Sequence, residues 1–297
     1  MGIHELAAVG AAFCWAATGL ISQTPAQALG PFAFNRLRQT SVAVLLALIV
    51  LLSGRAQGVL PNEFMTLATS GVVGIFIGDL MLYFCLLRVG PRRSGALFAL
   101  NAPISAILGW LFLGETLSTA AIFGIVLTTL GVATAVLGRP GRSGTHRFEA
   151  VKGSIWAAIA FGLLAATGQA VGSIIARPVM ESGFDPMTGS LIRITVAVAC
   201  LWVLMLFPSR HLKPYGPITA KVAFLTLISG FLAMGVGMTL LLFALQGGKV
   251  GIVATLSALS PVVILPIIWI VTGDRPSGTS WIGALMAVAG MALIFLR

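Results

Sequence analysis

Asp79 is the one acidic residue set well inside an apolar stretch of this chain. A carboxylate at bilayer depth costs at least ~2.5 kcal/mol on insertion scales, so it must face protein or water. Tyr83 follows at i+4, one turn on and on the same helix face. An acid and a phenol side by side can hold a substrate amine or pass a proton. The competing role for Asp79 is a structural ion pair or a helix-end hydrogen bond. Arg36 and Arg193 lie in comparable places in two other apolar stretches. A guanidinium there can take a carboxylate bidentately, or it can snorkel to the interface as part of the architecture. Arg38 stands only two residues from Arg36, so it is expected to face elsewhere and to be interfacial.

Uncharged groups extend the set. Asn101 and Gln169 are amides in apolar surroundings and need hydrogen-bond partners there. They can bind a zwitterion without fixing charge, or glue helices together. Trp15 can stack on an apolar substrate side chain, while Trp156 lies close enough to a stretch end to belong to an interfacial belt. Thr18 and Thr167 sit in a repeated phrase, Ala16-Ala17-Thr18-Gly19 and Ala165-Ala166-Thr167-Gly168. They are matched cavity points or they bond back to their own helices. Ser257 and Ser260 are weaker candidates of the same kind. Pro103, Pro261 and Pro266 interrupt apolar stretches and free backbone carbonyls, as hinges or as fixed kinks.

Other chemistry is poorly supplied. Cys14, Cys85 and Cys200 are dispersed through apolar sequence without CxxC spacing, and His4, His146 and His211 form no cluster with them. No metal site and no cofactor is expected. There is no Walker GxxxxGK[ST] run, so ATP on this chain powers nothing. An intramembrane enzyme would need a paired nucleophile and base, which the sequence does not offer. The net charge of +10 comes from Lys and Arg scattered through short connections, without the basic face of a nucleic-acid binder.

These residues must be positioned by membrane helices. Of 297 residues 58% are hydrophobic and only 9% charged, with a mean hydropathy of +1.04. A soluble domain carries roughly 25% charged residues. Ten stretches are long enough to cross a ~30 Å core, at about 5–22, 31–53, 64–87, 93–113, 118–138, 153–175, 185–207, 218–245, 249–272 and 278–296. The second half restates the first. Ser70-Gly71, Gly78 and Phe84 recur as Ser229-Gly230, Gly237 and Phe243, at a spacing of 159. Trp110, Gly114-Glu115, Ser118, Gly124 and Gly131 recur as Trp269, Gly273-Asp274, Ser277, Gly283 and Gly290 at the same spacing. The expected organisation is a first five-helix repeat over 1–138, a cytoplasmic linker over 139–152 and a second repeat over 153–297. Five is odd, so the second repeat enters the membrane inverted, which is how many alternating-access carriers are built. Met238 occupies the place of Asp79 at the same spacing, so the halves are chemically unequal there. Lys and Arg favour the connections after the first, third, fifth, seventh and ninth stretches by eleven to four, which puts those connections in the cytoplasm and both termini outside. The N-terminus lacks the basic n-region of a cleaved signal.

Each half ends in a Trp-x-x-x-Gly-[Glu/Asp] run followed by Ser and a Gly-punctuated final stretch. Leu111-Phe112-Leu113-Gly114-Glu115-Thr116-Leu117-Ser118 and Ile270-Val271-Thr272-Gly273-Asp274-Arg275-Pro276-Ser277 are the two copies. In this the chain resembles the EamA-type repeat of the ten-helix branch of the drug/metabolite transporter superfamily. Within that branch it looks most like YddG-type exporters of aromatic and neutral amino acids. The resemblance implies an all-α inner-membrane carrier with a central cavity between two inverted five-helix bundles. It implies walls from the first, third, fourth, sixth, eighth and ninth spans, with the fifth and tenth peripheral. The expected partners are lipid, a small-molecule substrate such as an amino acid, and protons if Asp79 carries them. The substrate-binding set is then Asp79, Tyr83, Asn101, Gln169, Trp15, Thr18 and Thr167, with Arg36 and Arg193 as carboxylate-binding or structural. A channel or a lipid translocase on the same repeats is the alternative.

Overall fold

The computed structural model describes residues 2–54, 58–114, 116–137, 151–247, 250–257, 259–273 and 276–295. Most of the expected linker, with His146, lies outside them, as do Glu115 and Asp274 of the matched motif. In hydrocarbon every backbone N–H and C=O must be satisfied within the chain, which for a sequence this apolar means helices. The described residues form α1 (Ile3–Ile21), α2 (Gln23–Leu29), α3 (Pro31–Leu52), α4 (Pro61–Gly71), α5 (Gly78–Phe98), α6 (Asn101–Leu113) and α7 (Thr119–Leu137) in the first half. The second half holds α8 (Ile155–Glu181), α9 (Pro186–Val203), α10 (Ala220–Gly230), α11 (Met238–Gly247), α12 (Val250–Ser257), α13 (Ser260–Thr272) and α14 (Gly278–Phe295).

Seven helical stretches among the described residues are long and apolar enough to cross a membrane, against the ten expected. The difference lies in where helices merge and break. Pro61–Phe112 runs as one stretch of 52 residues through the expected third and fourth spans, although the backbone turns within it at Gly90 (φ 78°). The expected ninth and tenth spans are present as the shorter apolar helices Ser260–Val271 and Gly278–Ile294.

The irregularities repeat as faithfully as the sequence. A π-helical segment, Val72–Ile77, joins α4 to α5, and another, Phe231–Gly237, joins α10 to α11. Their starts are 159 residues apart. The break between Phe98 and Asn101 likewise recurs between Ser257 and Ser260. The glycine of each Trp-x-x-x-Gly run has a local cause. Gly114 (φ 65°) and Gly273 (φ 76°) are left-handed residues that end α6 and α13, a conformation costly for other side chains.

Small residues set the helix crossings. α5 and its preceding π segment lie backbone to backbone on α8. A Cβ on Gly172 would stand 2.9 Å from Gly74 Cα, and one on Gly168 would stand 3.0 Å from Gly78 Cα. Lipid offers no gain for hiding apolar surface between helices, so close approach through such stripes supplies the packing instead. The last helix of each half, α7 and α14, pair with each other, Gly124 facing Gly290 and Gly131 facing Gly283. The rising order on one helix meets the falling order on the other, so the pair is antiparallel. Their outer faces carry exposed side chains such as Phe123, Val126, Ile282 and Leu285.

Candidate functional site

A cavity of about 80 Å³ lies between the halves, lined from α1, α3, α5, α8, α11, α13 and both π segments. By the same measure a water needs roughly 10–15 Å³, so a handful would fit. Neither α7 nor α14 reaches it.

One wall is a buried polar cluster. Arg38, 1% exposed, is ion-paired through Nη2 with Asp79 Oδ2. The same nitrogen donates to Asn35 Oδ1 at 3.2 Å, and Nη1 donates to Tyr83 Oη at 2.5 Å. Gln39 Nε2 donates to Asp79 Oδ2 at 3.1 Å, and Tyr83 Oη donates to Ser22 Oγ at 3.1 Å. The guanidinium also lies over the Tyr83 ring, 4.7 Å from its centroid. α3 supplies Asn35, Arg38 and Gln39 from adjacent turns, and α5 supplies Asp79 and Tyr83 at i and i+4.

The expectation for Arg38 is thereby corrected: it is buried, not interfacial. Its register explains why. Pro31 opens α3 and Pro186 opens α9, and Arg38 and Arg193 each stand seven residues on. The true counterpart of Arg193 is therefore Arg38, 155 residues earlier, and not Arg36. Arg36 lies at the edge of the bundle, where Nη1 donates to Leu212 O at 3.1 Å and the guanidinium sits 5.2 Å from the Trp202 ring centroid.

Arg193 is wholly buried, and Nη1 points at Met238 Sδ, 3.0 Å away. Arg38 and Asp79 in the first half thus correspond to Arg193 and Met238 in the second, with a thioether where the carboxylate would be.

Trp15, Thr18 and Gln169 line other parts of the cavity. Trp15 Nε1 donates to Ala233 O of the second π segment at 3.1 Å, and its ring meets Phe98 edge-on. Thr18 Oγ1 donates back to Cys14 O at 2.7 Å, the self-bonding alternative. The Gln169 amide makes no hydrogen bond among the described residues. Ser260 also lines the cavity while its Oγ donates to Ala12 O at 3.2 Å.

Two expected members lie elsewhere. Asn101 is buried, but its Nδ2 donates to Phe98 O at 2.7 Å, tying the helix break instead of facing the cavity. Thr167 is half-buried and outside the lining. Trp156 is 74% exposed on the outside of the bundle. Sequence reasoning missed Arg38, Phe98, Met234 and Met238 as wall residues. For Arg38 the matched Pro31 and Pro186 were the available signal; for the apolar residues no signal separates cavity from core.

The arrangement is two related helical halves around a cavity with one buried polar wall. The family model of the EamA-like transporters matches the chain twice, over residues 2–137 and 156–296, and the chain belongs to that family. It is a multi-pass membrane transporter of the drug/metabolite type. The uncharacterized protein MJ1333.1 of Methanocaldococcus jannaschii is 32% identical over 91 residues, covering 31% of this chain and 66% of that protein's length. A solved structure described only as "Crystal structure of protein" superposes with a TM-score of 0.72 at 18% identity, covering 99% of this chain and 96% of that one, a likeness of fold.

Proposed function

We propose that this chain is a secondary carrier that exports a small amphipathic metabolite, with neutral or aromatic amino acids as the substrate class. Alternating access would come from rocking of the repeats at 1–138 and 153–297 about the central cavity. The observation that carries this reading is the cavity itself. It is lined by residues of both halves and joins aromatic and thioether surfaces (Trp15, Phe98, Met234) to polar ends (Gln169, the Arg38–Asp79–Tyr83 cluster). An amphipathic ligand needs both surfaces. At about 80 Å³ the cavity must widen to admit an amino acid, as rocking of the two halves would allow. Asp79, already held by Arg38 and Gln39, serves here to set the polarity of the wall, which favours a carrier driven by substrate gradients over one that takes protons on this carboxylate. Lys/Arg bias supports both termini lying outside the cytoplasm, and the family likeness supports an inner-membrane placement. Purified protein in liposomes tests the reading: uptake of labelled amino acids should saturate and be competed by unlabelled ones. Linear, non-competable flux would point to a channel, and turnover of a labelled lipid to a translocase.

A further inference from the structure

Charge in the cavity wall does not balance. Arg38 is neutralised by Asp79. Arg193 is wholly buried, yet among the described residues no carboxylate meets it and its Nε and Nη2 have no hydrogen-bond partner. Its remaining nitrogen, Nη1, faces only the weak acceptor Met238 Sδ at 3.0 Å. A buried guanidinium left this way is expensive, and anions relieve such sites.

Arg193 is also next to the cavity. Met238 lines the cavity and stands between it and Nη1. Gly74 lines it as well, and a Cβ there would lie 3.0 Å from Nη2. Glycine at 74 leaves the Nη2 side uncrowded, and on the Nη1 side a flexible thioether stands between the guanidinium and the cavity. Met is the side chain best able to swing aside, having three rotatable bonds.

We infer that Arg193 is the carboxylate-binding group of the cavity, reached when Met238 moves, and that the site selects substrates by their carboxylate and not by an ammonium group. The inference rests on the carrier reading in taking the cavity as the substrate site. An ammonium group finds no free acid there, because Asp79 is already engaged. The favoured class is an amphipathic monocarboxylate; a zwitterionic amino acid is accepted through the same carboxylate. Bidentate charge-assisted hydrogen bonds to an otherwise unpaired guanidinium would supply the affinity.

Three analogues with one ring test this: 3-phenylpropionate, phenylalanine and phenethylamine. Binding is read first as thermal stabilisation of the detergent-purified protein, which needs no transport. 3-Phenylpropionate should bind at least as tightly as phenylalanine, and phenethylamine at least about tenfold more weakly. Met238→Asp then places a carboxylate where the first half has Asp79. It should fold at least as stably as the wild type, because it pairs Arg193, and should weaken 3-phenylpropionate about tenfold or more. Arg193→Gln should lose the preference of anion over amine. Equal binding of all three analogues by the wild type overturns the inference, as does their failure to bind at all, or Met238→Asp binding 3-phenylpropionate within about twofold of wild type. Binding with the stated preference but no saturable flux in liposomes upholds this site and removes the carrier reading. Saturable amino-acid flux with no preference for the anion does the reverse.

Discussion

Thr128 Oγ1 donates to Ala287 O at 3.3 Å across the contact between α7 and α14, and these two residues are 159 positions apart. They occupy the same place in the two halves. In a duplicated protein a residue meets its own counterpart only on the axis that relates the copies. Because α7 and α14 run antiparallel, that axis lies across the helices, in the plane of the membrane. The inversion inferred from counting spans thus has a physical location, and it does not depend on whether the spans number ten.

The glycines flanking that axis should respond as a pair. A Cβ on Gly131 would lie 2.5 Å from Ala287 N, and one on its counterpart Gly290 would lie 2.4 Å from Thr128 N. Helix propensity favours Ala over Gly by about 1 kcal/mol. Forcing backbones apart in a tight contact costs about 1–3 kcal/mol and outweighs it. Gly131→Ala and Gly290→Ala should each lower the thermal midpoint in detergent, by similar amounts. Gly278→Ala, where a Cβ meets nothing within 4 Å, should leave it unchanged or raise it slightly. A large loss from only one of the flanking pair would contradict the two-fold relation.

Trp15 ties the first helix to the second half's π segment. Trp15→Phe keeps a ring against Phe98 but removes the donor to Ala233 O. Ala233 O keeps the backbone bond from Met238 N, so loss of the indole donor removes one net hydrogen bond, about 0.5–1.5 kcal/mol. Unfolding in detergent should show that loss. Transport of an aromatic substrate should fall more for Trp15→Ala than for Trp15→Phe, since only the former removes the ring. Equal transport by both variants would show that the ring does not contact substrate.

Orientation is open to direct measurement. Lys152 N donates to Arg88 O at 2.7 Å, and Arg88, Lys152, His211 and Tyr215 line one surface depression, so these connections share one face of the bundle. The Lys and Arg bias predicts that this face is cytoplasmic. Reporter fusions at either terminus should be active only outside the cytoplasm. A cytoplasmically active C-terminal fusion would reverse the assignment.

The sequence conveyed the large pattern well and the pairing poorly. Hydropathy and the 159 spacing revealed helices and duplication because both are repeated over many residues. Asp79 stood out because an acid in lipid has no other explanation than protein or water. Its partner was hidden by register. The first and second copies of the Arg-bearing helix are offset by 155, not 159, owing to different connection lengths, so Arg36 looked like the counterpart of Arg193 and Arg38 looked incidental. Asn101 was misplaced because an amide beside a helix break can serve the backbone as readily as a ligand. The merging of Pro61–Phe112 was likewise beyond hydropathy, which reads apolar length and not the turn within it.

The Arg38–Asp79 pair separates scaffold from site. Asp79→Asn leaves a fully buried guanidinium without its counter-ion, and breaking one side of a buried pair costs about 3–5 kcal/mol. Arg38→Met strands the carboxylate and should cost a similar amount. The double variant, Arg38→Met with Asp79→Asn, strands neither. It should therefore lose much less stability than the two single losses added together, a coupling that thermal unfolding in detergent measures directly. Flux should behave differently. Both side chains line the cavity, and the pair also orients Tyr83 through Arg38 Nη1. The double variant should accordingly be folded yet transport slowly. Recovery of flux along with stability would reduce the pair to a strut. Additive stability losses would show that the two charges are not coupled, and the polar wall described here would have to be redrawn.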